Sequence, residues 1–258
     1  MENIEKLKFL TSLKVFCGVF LLVLFFFNFL DIMIFELSRS FPGIIFIFFR
    51  KFIDPLSDIF DPFVLIVLCS LILLLNSNIK HILRNEKKLN IIKKQTGFSF
   101  EKISLLFKYL SLVCKHFIIS LAVAGILCNI FKYIIGVSRP KYFFLEGYDR
   151  FNFFNIDQKV NSFPSGHTQA AFTLAMLLII YLNKYTLYIL IFSILMGLSR
   201  IFMSMHFPSD LIAGAYLGSV IPILTYNYFY RNDIEKIKSK QDVLIIDIVK
   251  LLYWRFYI

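Results

Sequence analysis

Three short stretches of this 258-residue chain set cations, histidines and a carboxylate at intervals that could do chemistry. The first, "KYIIGVSRP", carries Lys132 and Arg139. The second, "NSFPSGHTQ", puts Pro164, Ser165, Gly166 and His167 just ahead of the apolar run "AAFTLAMLLIIYL". The third begins with Ser199 and Arg200 at the end of another apolar run and continues to "HFPSD", with His206 and Asp210. Lys132, Arg139 and Arg200 suit the non-bridging oxygens of a phosphate monoester or diphosphate, since an arginine fork can bind two oxygens at once. Ser165 offers a hydroxyl, and Gly166 lets the backbone approach an anion closely. A helix opening there would also aim unpaired N–H groups and a positive dipole end at the anion.

Two histidines match the two halves of a hydrolysis. A neutral His206 could attack phosphorus, with Asp210 holding its other ring nitrogen. That pairing requires the helix to have begun, so that residues i and i+4 share a face. Pro208 is no obstacle in a first turn, where its missing N–H has no intrahelical partner anyway. A protonated His167 could supply the leaving oxygen with a proton and later draw one from water. The residue types alone do not rank the two histidines. No metal or other cofactor is called for, because lysine and arginine already supply the positive charge.

The elements that must position these groups are membrane helices. Hydrophobic residues make up 58% of the chain, aromatics 18%, and mean hydropathy is +0.72. That much apolar surface needs lipid as its solvent. Apolar runs long enough to cross a hydrocarbon core of about 30 Å recur along the sequence. The expected fold is all-α, an integral membrane bundle of six transmembrane helices forming a single membrane domain over 1–258. The spans fall near 13–35, 60–77, 109–131, 167–183, 185–200 and 208–229. The fourth and fifth read as a tight hairpin, and "PGIIFIFFRKFIDPLSDIF" reads as a broken segment lying along the interface. Lys6, Lys8 and Lys14 precede the first run in the manner of a signal peptide, but no small-residue cleavage site follows, so it reads as a retained span.

The net charge of +11 does not spell nucleic-acid binding, because the basic residues sit in the gaps between apolar runs. With the N-terminus inside, inner segments hold 19 Lys and Arg and outer segments 9. This excess predicts cytoplasmic termini. Everything from Lys132 to His167, and from Arg200 to Asp210, then faces outward, toward the periplasm or exterior of a bacterial-type inner membrane. Spans alternate in direction, so all three clusters reach one membrane face.

Lys132-x6-Arg139-Pro140, Pro164-Ser165-Gly166-His167 and Ser199-Arg200-x5-His206-x3-Asp210 together resemble the three-part motif of the type 2 phosphatidic acid phosphatase superfamily. Every motif position is filled, and the resemblance covers about residues 109–229. It implies a metal-independent membrane phosphatase acting on a lipid phosphate. It implies His206 as nucleophile, Asp210 as its partner and His167 as acid and base, with Lys132, Arg139, Ser165, Gly166 and Arg200 as phosphate ligands. Candidate substrates are an isoprenyl diphosphate, phosphatidylglycerol phosphate, phosphatidic acid or a lipid A phosphate. The alternatives are vanadate-dependent haloperoxidase-like oxidation, against which the membrane spans argue, and non-catalytic lipid binding, against which the intact nucleophile and acid argue.

Other features invite plainer readings. Cys17, Cys69, Cys114 and Cys128 lie inside apolar segments and read as buried small hydrophobes. His81 and His116 match nothing and read as loop or interface residues. Asp54, Asp58 and Asp61 read as solvated acids at a span end. The aromatic stretch 142–154 fits a lipid-access groove and an interfacial belt equally well. "GAYLG", Gly214 to Gly218, reads as a close helix contact. The basic loop 80–102 reads as a topology anchor with amphipathic helical pieces, and the amphipathic tail 231–258 as an interface-lying helix.

Overall fold

The computed structural model describes residues 5, 7–59, 61–77, 83–182 and 184–256, the last two and 57–59 by backbone alone. His81 and the Asp58 side chain lie outside the described residues. Helix α1 is Leu13–Ser40. A broken helix, α2, covers 43–59, with a π-helical turn at Phe49–Ile53. There follow α3 (Pro62–Ser77), α4 (Glu86–Thr96), α5 (Phe100–Ile135), α6 (Pro140–Glu146), α7 (Gly166–Leu182) and α8 (Thr186–Phe202). The last two are α9 (Pro208–Lys240) and α10 (Ile245–Phe256). Among the described residues the fold is all-α, and the β-pairing is one isolated antiparallel bridge, Val137 to Phe151.

Helices α1, α5 and α9 are long and apolar enough to cross a membrane; α3, α7 and α8 are apolar but shorter, at 16, 17 and 17 residues. All six coincide with the predicted spans, and this is a membrane protein. Two helices run further than hydropathy suggests. Helix α5 begins at Phe100, and α9 continues to Lys240, so residues 231–240 extend a helix that the sequence reading assigned to the tail. At 36 residues α5 is about 54 Å long. Its added turns, FEKISLLFK, mix apolar residues with Glu and Lys, which favour helix without being apolar.

The chain forms two compact units, Met1–Pro62 with Ser120–Leu224, and Phe63–Ile119 with Thr225–Ile258. The second unit is built by α4, α10 and parts of α3, α5 and α9. Asn85 caps α4 by accepting the Lys88 N–H at 3.2 Å, and Gly97 at φ +73° ends it. Leu89 and Ile92 of α4 then pack with Ile103, Leu106 and Phe107 of α5 and Leu251 of α10. Lys102 pairs with Asp247 at 2.8 Å, so α10 has one face against protein. Its other face exposes Ile245, Ile246, Val249 and Tyr253. His116 is fully buried here, 3.0 Å from the Thr225 hydroxyl and ringed by Tyr226 and Tyr230, which corrects its reading as a loop or interface residue. A single histidine in a long apolar run carries no sign of the face it occupies.

The first unit holds the three clusters. Helices α7 and α9 meet backbone to backbone at the small residues of "GAYLG": a Cβ on Gly214 would lie 2.5 Å from the Ser165 carbonyl oxygen, and one on Gly218 2.3 Å from that of Gln169. Phe49 and Ile53 of α2 pack on Ala171 of α7 and Met196 of α8, so α2 lies against protein along this edge. Of the cysteines, Cys114 and Cys128 are buried as expected, but Cys17 is exposed on the outer side of α1. That helix leaves Leu13, Leu21, Phe29 and other large apolar side chains exposed as well. In an apolar solvent such a face carries no penalty.

Candidate active site

The site is assembled from helix ends. Lys132 lies in the last turn of α5 and Arg139 caps α6, whose first residue is Pro140. Between them Gly136 takes φ +57°, and a side chain there would collide with the Asn152 carbonyl, 1.9 Å from an ideal Cβ. Gly136 thus lets the loop return close to α5, tied by Asn152 N–H to Gly136 O at 2.7 Å and Ser162 N–H to Val137 O at 2.8 Å. Gly166 and His167 open α7, Arg200 closes α8, and His206 lies in the turn before α9.

Lys132, Arg139, Gly166, His167, Arg200 and His206 line one cavity of about 320 Å³, joined by Asp61. The sequence reading brought these residues to one face, and the fold brings them to one cavity. The Lys132 ammonium donates to the Asn161 carbonyl at 2.9 Å. The Arg139 guanidinium reaches Met205 sulfur at 3.8 Å, and its Nε is buried without a hydrogen-bond partner among the described residues. Arg200 donates through Nε to Ser199 at 3.2 Å and pairs through Nη2 with Asp54 of α2. Asp54 is therefore not the plain solvated acid expected. Its carboxylate occupies one of the cations available to an anion.

Two predicted site residues, the ligand Ser165 and the catalytic partner Asp210, are not among those that line the cavity. Ser165 is fully buried and its hydroxyl accepts from the Thr168 N–H at 3.4 Å and hydroxyl at 2.9 Å, the geometry of a helix cap. Its own N–H donates to the Asp210 carbonyl at 3.0 Å, which stitches α7 to α9. Asp210 is also fully buried, and its Oδ2 accepts the Phe207 N–H at 2.8 Å. That is the reciprocal half of a capping box, with an acid three residues into the helix reaching back to the cap.

His206 and Asp210 meet as their i, i+4 spacing suggested, but at 3.5 Å, and through a third residue. Ser162 lies 3.3 Å from His206 Nδ1 and donates to Asp210 Oδ2 at 2.5 Å. Sequence reasoning missed it, since a loop serine 44 residues upstream offers no signal. It also missed the buried Asp31, which holds Ser209 of α9, and its half-buried partner Arg150. Asp31 did leave a signal, as an acid in the interior of an apolar span. His206 is 3% exposed, and burial, followed by the charges of Lys132, Arg139 and Arg200, pushes its pKa well below the ordinary 6.5. Its imidazole is neutral at neutral pH, as a nucleophile requires.

The aromatic stretch 142–154 divides. Phe143 packs on the cluster of Phe35, Ile201, Phe207 and Leu211, and Phe144 stacks on Phe35 at 5.0 Å, whereas Phe153 and Phe154 are exposed.

Fold and site define an all-α membrane protein with a cationic, histidine-bearing cavity at convergent helix ends. Residues 114–234, which carry all three clusters, match the PAP2 superfamily. Lipid A 1-phosphatase from Rhizobium johnstonii is 33% identical over 125 residues, 48% of this chain and 50% of that protein. Undecaprenyl-diphosphatase from Sulfolobus acidocaldarius is 30% identical over 142 residues, 52% of this chain and 64% of that protein. Bacitracin transport permease protein BcrC from Bacillus licheniformis is 35% identical over 66 residues, 26% and 32% of the two chains. The chain thus spans about half the length of the first curated relatives it matches. No solved structure matches it.

Proposed function

We propose that this protein is a membrane phosphatase that hydrolyses a lipid phosphate or diphosphate through a phosphohistidine. One observation carries the reading: three cations and two histidines line a single cavity, with one histidine backed by a buried carboxylate. Isolated cations at helix ends would serve as membrane anchors; gathered around one cavity they repel each other unless an anion joins them.

In this reading Lys132, Arg139 and Arg200 bind the phosphoryl oxygens, helped by the N–H groups that open α7. Substrate phosphate displaces Asp54 from Arg200. His206 Nδ1–H donates to Ser162, which passes the hydrogen bond on to Asp210, leaving the Nε2 lone pair free to attack. A P–N bond forms, the bond from phosphorus to the leaving oxygen breaks, and His167 protonates that oxygen. His167 then takes a proton from water, whose oxygen attacks phosphorus. The P–N bond breaks and phosphate leaves with His206 restored. The cations act electrostatically on the charge that builds on the equatorial oxygens.

The substrate class rests on the relatives' names together with the bilayer setting, which favours an amphiphile that diffuses in laterally. A lipid A phosphate and an isoprenyl diphosphate stand first, with phosphatidylglycerol phosphate and phosphatidic acid behind them. The excess of 19 inner over 9 outer basic residues supports six crossings with the site on the outer face of a bacterial inner membrane.

The test is phosphate release by detergent-solubilised protein in the presence of EDTA, across a panel of these lipids. His206→Ala is expected to lose at least about 1,000-fold in kcat, as removal of a nucleophile does. Equal activity in variant and wild type removes His206 from the chemistry.

A further inference from the structure

We propose that Asp31 and Arg150 form a lock that positions the nucleophilic histidine by fixing the first turn of α9. The inference rests on reading His206 as the nucleophile.

Asp31 sits in the interior of α1 and is 1% exposed. Isolated in an apolar span, a carboxylate is costly, so its partners are informative. One oxygen accepts the Ser209 N–H at 2.8 Å, the other accepts the Ser209 hydroxyl at 2.6 Å and pairs with Arg150. Ser209 is the second residue of α9, and the N–H groups of a first turn have no acceptor within their own helix. Asp210 caps the turn from inside, and Asp31 caps it from a helix 178 residues away. A negative charge at that end also complements the helix dipole. Residues on either side of the two capped N–H groups are His206 and Asp210.

Arg150 closes the lock from the loop side. Its guanidinium lies 3.6 Å from the Phe207 ring centroid and 4.4 Å from that of Phe27, so it bridges α1 to the residue that follows His206. Its carbonyl accepts the Ser138 N–H at 3.2 Å, beside Arg139. Among the described residues, Arg150 Nη1 and Asp210 Oδ1 are both buried without a hydrogen-bond partner. Neither Asp31 nor Arg150 lines the cavity, so they act through Ser209, Phe207 and Asp210, as positioning residues.

The experiment compares Asp31→Asn, Arg150→Lys, Arg150→Met and Ser209→Ala with wild type, using the lipid phosphate that the wild type hydrolyses fastest. Ser209→Ala removes a single hydroxyl and keeps the N–H bond to Asp31, so it stays informative if the charge variants do not fold. Displacement of a reacting group by a remote change costs about 10- to 100-fold, and that loss is expected in kcat for Asp31→Asn, with KM within about threefold. Arg150→Lys keeps the charge and recovers part of the activity that Arg150→Met loses. Combining Asp31→Asn with Arg150→Met costs less than the two single losses multiplied, because both break one network. The rate at which diethyl pyrocarbonate modifies His206 is expected to change in the variants, reporting its position without turnover.

Folded variants with wild-type kcat and unchanged His206 modification overturn the lock. So does a loss confined to KM, which would place Asp31 and Arg150 in binding. Phosphate release by His206→Ala equal to that of wild type removes His206 as nucleophile and the lock with it, while the absence of phosphate release by wild type overturns the phosphatase reading itself.

Discussion

As the proposed nucleophile, His206 faces two demands that conflict in water: it must stay unprotonated to attack, yet sit among the cations proposed to hold a phosphate. Burial and the cations solve both at once, because each disfavours imidazolium. The acid limb of kcat/KM that belongs to His206 is therefore expected well below pH 6.5, the ordinary value. Lys132→Met removes a positive neighbour and so raises the pKa of His206. The limb moves upward yet stays below 6.5, since burial is the larger cause. A pH profile of both proteins checks the sign, and a limb that moves down contradicts the electrostatic account. Spacing made the pair of His206 and Asp210 legible, although His206 lies in the turn before α9, so that the two meet across the helix entrance and not along a helical face. Ser162, Asp31 and Arg150 were not, because their partnerships join residues 44 to 178 positions apart.

At the scale of elements, the contact between α7 and α9 sets where the opening turn of α7, which lines the cavity, is held. The Ser165 carbonyl stands where a Cβ on Gly214 would go, and that carbonyl also accepts the Gln169 N–H at 2.9 Å in the opening turn of α7. Gly214→Val is expected to force the helices apart. A loss of about 1–3 kcal/mol, the usual result of overpacking, should appear as a lower unfolding temperature in detergent, with phosphatase activity falling in parallel. A Gly214→Val protein as stable and active as wild type would mean that the close approach is dispensable. The small-xxx-small pattern announced this contact, but only the fold revealed what it protects, a helix opening that faces the cavity. Hydropathy located the apolar helices, yet it stopped α5 and α9 too early because helix propensity persists after the residues turn polar.

For the molecule as a whole, the distribution of basic residues predicts sidedness. With Cys17 and Cys69 replaced by serine, a membrane-impermeant maleimide is expected to label Ile156→Cys, an 80% exposed position, on bacterial cells stripped of their outer membrane. Leu244→Cys, 58% exposed and beyond α9, should react only after permeabilisation. Labelling of both from the same side removes the outward-facing site. The helices legible in composition supply both compact units, but their core contacts did not announce themselves. Leu251 and His116 became interior residues of the second unit through packing that no local pattern specifies.

The sequence by itself determined the solvent, the positions of the apolar helices and the residue types that the cavity gathers. Apolar runs demand lipid, and cations, histidines and a carboxylate carry their reactivity wherever they stand. Tertiary structure decided which groups face the cavity and which support it. Ser165 became a cap, Asp54 a partner of Arg200, and Asp31 a brace for the turn beside His206. Those roles depend on which distant segments come within hydrogen-bonding distance, and a separation of 3 Å between residues from different helices is a property of packing, which local sequence does not encode.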